Sequence, residues 1–364
     1  MRKKLPDFIL LFTIIALVLS GLIMILSASS VKAEQLFSNS YYFFYNQLKY
    51  LGVALLLSAI IYKLKYEKLK ELAPYLLLVS LGTLILVLIP GIGEIAGGSR
   101  RWLSLGPVNF QPSELAKFTI VIYLAAYIDK NKDKIKQIKN GILPPLIVIG
   151  LISFLILLEP DLGTAVSLSL VAAAMIFVGG IRISLFIVLG IVSLLFSLAA
   201  VMAEPYRRER LFTFLNPWQD PLDSGYHIIQ SLLALGSGGL FGVGAGNSHQ
   251  KFLYLPEPGT DFIFAVLGEE FGLLGTLFII SLYFLLAWRG LKIATRVDDS
   301  FGSMLAVGIT SMVVIQALIN MAVVTSLMPV TGITLPLISY GGSSLVINLT
   351  ALALLLNISR YVEG

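Results

Sequence analysis

The chain has no cysteine and only two histidines among its 364 residues. Neither a disulfide nor a thiolate metal site can form, and His227 and His249 lack metal-ligand spacing, which marks them as surface histidines. Charge is scarce too: Asp, Glu, Lys and Arg make up 13%, about half the share of a soluble domain. There is no phosphate-binding P-loop, no dinucleotide fingerprint and no Gly-x-Ser-x-Gly elbow, so ATP-driven transport finds no support. No segment repeats at a period of 20–50 residues.

What fills the chain is apolar. Hydrophobic residues make up 57% and the mean hydropathy is +0.89. The apolar runs are about 20 residues long and continuous rather than alternating, which predicts an all-α polytopic membrane protein. Ten transmembrane helices are expected, over 8–28, 46–62, 73–91, 112–128, 142–158, 162–181, 183–203, 262–288, 303–326 and 333–357. The first run is longer than a signal-peptide core and reads as an uncleaved helix. The formal net charge of +5 does not point to nucleic acid, because the basic residues sit in short loops between spans. Their bias puts both termini in the cytoplasm and makes the Lys-rich run 129–140 a topology anchor. One membrane domain, 1–364, results. Within it a long extracellular loop, 204–261, separates helices 7 and 8. It is rich in aliphatic and aromatic residues, so it reads as functional rather than disordered. Tyr226–Leu235 can form a short helix there, and Gly236–Gly246 a flexible, close-approach backbone.

Acids inside so apolar a chain are expensive and mark function. Four carboxylates fall within 255–270: Glu257, Asp261, Glu269 and Glu270. Thr260 can cap a helix starting near Asp261. Glu269 and Glu270 lie deeper and suit pairing with Lys or Arg on other helices. Glu114 and Lys117 follow Gln111-Pro112 at i,i+3 spacing and can pair on one helix face. Glu159 and Asp161 share a tight outside turn that suits a cation or a polar headgroup; with Asp261 they are the candidate ligands for a divalent cation, Mg or Mn. Arg207, Arg208 and Arg210 open the long loop, with Arg100 and Arg101 in the preceding outside segment. Guanidinium forks suit phosphate.

The ordered motifs resemble those of the SEDS (shape, elongation, division and sporulation) family of peptidoglycan polymerases. They are Ile25-Leu-Ser-Ala-Ser29, Gly98-Ser-Arg-Arg-Trp-Leu103, Gln111-Pro-Ser-Glu114, Glu159-Pro-Asp-Leu-Gly-Thr164, Phe214-Leu-Asn-Pro-Trp218, Asp223-Ser-Gly-Tyr-His-Ile-Ile-Gln230, Gly236-Ser-Gly-Gly-Leu-Phe-Gly242, Thr260-Asp-Phe-Ile-Phe264, Gly268-Glu-Glu270 and Pro336-Leu-Ile-Ser-Tyr-Gly-Gly-Ser-Ser-Leu345. The segment 247–257 looks more like the division branch, FtsW, than the elongation branch, with the sporulation branch nearly as similar. Pro258-Gly259 departs from the expected small residue and His before Thr-Asp. The resemblance implies a peptidoglycan glycosyltransferase that polymerises lipid II into β-1,4 glycan strands at the outer face of the cytoplasmic membrane, at the division septum. It implies Asp261 as the essential catalytic carboxylate, which we assign as the base. The five arginines, Lys117, Glu114 and Ser343 become candidate substrate-binding residues. The partners implied are lipid II, membrane lipid, a class B penicillin-binding protein and other division-complex membrane proteins. A lipid II flippase and a non-catalytic scaffold are the competing classes.

Overall fold

The computed structural model describes residues 5–96, 99–106, 108–223, 225–252 and 254–362. Of the predicted features, Arg2, Lys3, Lys4, Gly97, Gly98, Ser224 and Leu253 lie outside the described residues. Among the described residues twelve α-helices run in chain order: α1 Phe8–Phe37, α2 Tyr42–Lys63, α3 Lys68–Leu88, α4 Pro112–Lys130, α5 Leu143–Leu158, α6 Leu162–Val178, α7 Ile183–Ala203, α8 Pro205–Leu215, α9 Tyr226–Ser237, α10 Ile263–Arg296, α11 Ser300–Val324 and α12 Gly342–Ile358. Among the described residues, eight helices are long and apolar enough to cross a membrane, and α6 is a shorter apolar one. Each predicted range overlaps a helix, α4 and α6 included, though the last does so only in part.

Local chemistry sets the ends. The side chains of Asp7, Asp161 and Asp299 each accept a first-turn amide, at α1, α6 and α11, which satisfies an otherwise orphaned donor. Proline opens α4 and α8, where its missing N–H costs nothing. At the centre lie α11 and α12; every residue of α12 but Val346 is buried. Around them α2 packs on α12, α10 on α11 and α3 on α4. By contrast, α7 has no buried residue.

Three findings correct the sequence reading. The chain is not purely helical: β1 Gly93–Ala96, β2 Ser99–Leu105 and β3 Val108–Phe110 form an antiparallel sheet in the order β1-β2-β3. The strands are short, and glycines at 97, 98 and 106 punctuate them, so hydropathy alone does not register them. The predicted span 333–357 becomes helical only at Gly342. Before it, Gly332 and Leu337 take positive φ of 74° and 66°, and Pro329 and Pro336 interrupt the run. The freed carbonyls are met by side chains: Asn320 Nδ2 donates to the Ile333 and Asp261 carbonyls, both at 2.8 Å. Gln316 Nε2 donates to Thr334 O at 3.0 Å. Non-helical backbone in a membrane protein survives only when satisfied in this way. Finally, Thr260 does not cap α10. The helix starts at Ile263, and the Thr260 hydroxyl bonds to Glu257 instead.

A break inside α10 explains the glycine-rich segment. Gly272 sits at φ 64°, ψ −162°, a conformation open essentially to glycine alone. The loop after α9 wedges into the gap. Leu273 N and Leu274 N donate to Gly239 O and Leu240 O at 2.9 and 3.2 Å, while Val243 N and Gly244 N donate to Glu269 O and Glu270 O at 3.0 and 3.1 Å. The backbones touch: a Cβ on Gly242 would lie 2.1 Å from Glu270 O.

Candidate active site

A cavity of about 1040 Å³ opens among β2, the first turns of α4 and α6, α8, α9, the segment before α10 and the loop before α12. Seven carboxylates reach it: Glu94, Glu114, Asp161, Glu209, Asp223, Glu257 and Asp261. Three cations face them: Arg101, Lys117 and Arg210. The 1040 Å³ volume exceeds the usual small-ligand range, which suits a large substrate or two of them.

The four carboxylates of 255–270 separate sharply. Glu257 pairs with Lys32 of α1 at 2.5 Å. Glu270 pairs with Lys251 at 3.2 Å and accepts from Ser27. Glu269 accepts from the Ser248 hydroxyl and from the amides of His249 and Gln250. These last two bind the 248–251 loop to α10: Glu270 meets a loop lysine rather than a cation on another helix, and Glu269 is held by a hydroxyl and amides with no cation partner among the described residues. Asp261 alone faces the cavity with a carboxylate that makes no hydrogen bond or ion pair among the described residues. Its backbone is fixed by contrast: Asn320 holds its carbonyl, and the Ser339 hydroxyl holds that of Thr260 at 2.5 Å. Burial, and then the neighbouring Glu257, push the Asp261 carboxyl up to about 6 against the pull of Arg210.

The candidate substrate-binding residues divide. Arg101 lines the cavity. It donates to Glu159 O at 3.0 Å and Pro160 O at 2.6 Å, and lies 3.9 Å from Asp161. Arg100, one residue earlier on the same strand, is not on the wall and donates to Leu88 O; strand neighbours face opposite ways. Arg210 is on the wall and donates to Val330 O at 3.1 Å. Arg207 is not: it ties α8 to the carbonyls of Ala200 and Leu157. Arg208 is exposed and off the wall. The Arg-rich run lies on α8, so its members fan apart at about 100° per residue. Lys117 and Glu114 are both on the wall and pair at 2.9 Å, with Lys117 also donating to Gln316 at 2.6 Å. Ser343 is off the wall. Its hydroxyl accepts from Gln111 N and bonds to Asn109 O, which pins β3 and α4 to α12. The next residue, Ser344, faces the cavity.

The candidate cation ligands do not converge. No group of three His, Asp or Glu stands ready for a metal among the described residues. Both Asp161 oxygens accept from Thr164. Glu159 is fully buried with both oxygens unpartnered among the described residues. Burial and the nearby Asp161 push it to about 8, so it holds a proton at neutral pH. Mg or Mn would need ligands beyond these two.

His227 is not a surface residue. It lines the cavity, stacks on Phe262 at 5.9 Å, and burial followed by Arg210 lowers its pKa; His249 is exposed. Gln316 and Asn320 escaped the sequence reading. Their signal was present as two amides four residues apart on one face of an apolar helix.

The chain matches, over residues 8–364, the family described as Cell cycle protein, FtsW/RodA/SpoVE. Stage V sporulation protein E of Bacillus subtilis is 44% identical over 360 residues, covering 99% of this chain and 98% of the relative. A Geobacter sulfurreducens protein named Probable peptidoglycan glycosyltransferase FtsW is 43% identical over 358 residues, covering 98% and 96%. Among solved structures, a chain described under "Structural coordination of polymerization and crosslinking by a peptidoglycan synthase complex" superposes with a TM-score of 0.80 at 32% identity, covering 98% of each chain. The rod shape determining protein RodA of Thermus thermophilus gives 0.71 at 30%, over 98% of each. With its apolar helices, its ordered motifs and this agreement over nearly its whole length, the chain is a membrane protein of the FtsW/RodA/SpoVE family of cell cycle proteins.

Proposed function

We propose that this protein is a peptidoglycan glycosyltransferase that polymerises lipid II, with Asp261 as the catalytic base. The observation that carries the reading is the contrast within 255–270: three acids are engaged by neighbours, while Asp261 presents an unengaged carboxylate to a large cavity that six other acids and three cations line. Relatives named as glycosyltransferases support the same chemistry.

In this mechanism the acceptor sugar hydroxyl gives its proton to Asp261 as its oxygen bonds to the donor's anomeric carbon. The bond from that carbon to the pyrophosphate oxygen breaks, and polyprenyl pyrophosphate leaves. A base with a pKa of about 6 is mostly ionised at pH 7 yet accepts a proton better than an ordinary aspartate. Arg101 and Arg210 are the candidates for stabilising the leaving pyrophosphate. Lys117 is already paired with Glu114, and we assign it to the cavity floor.

The topology that goes with this reading has ten spans, both termini in the cytoplasm and the cavity open to the outer face of the cytoplasmic membrane. Septal wall synthesis with a class B penicillin-binding protein is the proposed setting. Purified protein, with that partner and labelled lipid II, tests it. Glycan strands from wild type and none from Asp261→Asn are expected. Movement of lipid II between leaflets without polymer would establish a flippase instead. Wild type inert in both assays would establish a scaffold.

A further inference from the structure

The chain's positive charge is concentrated in two short segments, 63–71 and 129–139. They contain nine lysines against Glu67, Glu71, Asp129 and Asp133, an excess of five, which equals the entire formal net charge of +5. The remainder of the molecule is neutral. A basic residue bias in loops sets orientation, but that requirement asks only for lysines near helix ends. It does not ask for a folded structure that presents them.

The structure provides one. Asp129, at the end of α4, pairs with Lys70 of α3 at 2.5 Å and with Lys132 at 3.4 Å. These bonds join two segments that lie 59 residues apart in the chain. The 131–142 stretch is built around a buried Ile135. Lys134 N and Ile135 N donate to Asn131 O, and Gln137 N to Lys134 O. Gly141 packs so closely on Lys134 O that a Cβ there would lie 1.9 Å away. This frame turns Lys132, Lys134, Lys136 and Lys139 outward. Lys134, Lys136 and Lys139 make no side-chain bond among the described residues.

Apolar side chains stand among the lysines: Ile138 is 65% exposed, Leu143 44% and Leu64 42%. The patch begins at the last residues of α2 and α4, Lys63 and Lys130. It therefore lies at a membrane edge, about 24 Å along α4 from Glu114 in the cavity. Lysines interleaved with exposed aliphatics at this level match a headgroup layer, where aliphatics dip inward and ammoniums meet phosphate.

We infer that this folded lysine patch is a binding site for anionic phospholipid headgroups of the surrounding membrane. The charge excess supplies the complementarity, and the exposed Ile138, Leu64 and Leu143 supply the contact with acyl chains. The inference is independent of the glycosyltransferase reading.

The test uses full-length protein in neutral detergent, where membrane orientation plays no part. Native mass spectrometry counts bound short-chain phosphatidylglycerol against phosphatidylcholine. A lysine near the surface contributes about fivefold in affinity for anionic lipid. Wild type is expected to prefer phosphatidylglycerol by on the order of tenfold or more, less so at high salt. The triple variant Lys134→Gln, Lys136→Gln, Lys139→Gln should lose that preference with an unchanged melting temperature. Lys49→Gln, outside the patch, should keep it. Equal binding of the two lipids by wild type would overturn the proposal. So would a preference that survives the triple variant or is lost in Lys49→Gln. Displacement of the bound lipid by polyglutamate at lower concentration than by free phosphatidylglycerol would overturn it in favour of an acidic protein partner.

Discussion

Replacing Asp261 by Asn separates chemistry from structure. The carboxylate has no hydrogen-bond partner to lose among the described residues, and its backbone anchors involve only carbonyls. Melting temperature should therefore not fall, while the polymerisation rate falls by roughly 10²–10⁴-fold, the range for losing a general base. The pH profile gives a sharper reading. With the carboxyl at about 6, about nine-tenths is ionised at pH 7, half at pH 6 and about one-tenth at pH 5. Base catalysis needs the ionised form, so the rate should fall about tenfold per unit once the pH drops well below 6. The neighbours should move that limb in opposite directions. Glu257→Gln removes a negative neighbour and shifts the limb to lower pH. Arg210→Ala removes a positive one and shifts it higher. Because the Glu257 side chain is 52% exposed, solvent screening holds its effect to a fraction of a unit. Initial rates of glycan formation from labelled lipid II, from pH 5 to 8, provide the assay. An Asn variant with near wild-type rate, or a profile flat through pH 6, refutes the assignment of Asp261 as base.

Four further outcomes follow from the packing. Gly272→Ala forces a side chain into φ 64°, ψ −162°, with its Cβ 2.4 Å from Gly242 N. It should cost at least about 1–3 kcal/mol in thermal unfolding, whereas Gly82→Ala, with nothing within 4 Å, should cost none. Lys251→Met strands Glu270 in a buried site; a loss of about 3–5 kcal/mol is expected, largely restored by adding Glu270→Gln. Glu159 titrates at about 8 when folded against 4.5 in the free side chain. Between those values the unfolded chain ionises while the folded chain keeps its proton, so stability falls as pH rises, by up to about 1.4 kcal/mol per unit. Glu159→Gln should remove that slope, read as melting temperature from pH 5 to 8. Asn320→Leu frees the carbonyls of Asp261 and Ile333. It should lower kcat more than it raises KM and leave the pH limb where it was.

Long apolar runs announce helices by length alone, so a helix overlaps each of the ten ranges, the last only from Gly342. Their failures share a cause. Hydropathy sees Ile333, Leu335, Leu337 and Ile338 as the start of a span, yet cannot see that Asn320, Gln316 and Ser339 satisfy the backbone there. The site shows the same limit at single-residue scale. Composition marks Arg100 with Arg101 and Ser343 with Ser344, but only the strand or helix register says which of each pair faces the cavity. Strand alternation made the arginine pair separable in principle. The serine pair was not, because it depends on how α12 is rotated against β3. Asp261 stood out because an acid in an apolar chain needs a reason. Lys251, its neighbourhood's hidden cation, did not, because nothing local tells a buried lysine from a surface one.

The acidic stretch is built so that rigidity and reactivity fall on different atoms. Lys32 holds Glu257, Tyr340 N donates to Gly259 O at 2.9 Å, Ser339 holds Thr260 and Asn320 holds Asp261. Beyond them, Glu269 and Glu270 are fastened to the 248–251 loop, and the wedge at Gly272 bonds to both the short first part of α10 and its long second part. Every anchor acts on backbone or on the flanking acids. A base must be placed to within about half an ångström of its proton yet not be satisfied before substrate arrives. Fixing the main chain on both sides while leaving one carboxylate unengaged meets both demands, and it accounts for why three supporting acids accompany the single one assigned to chemistry.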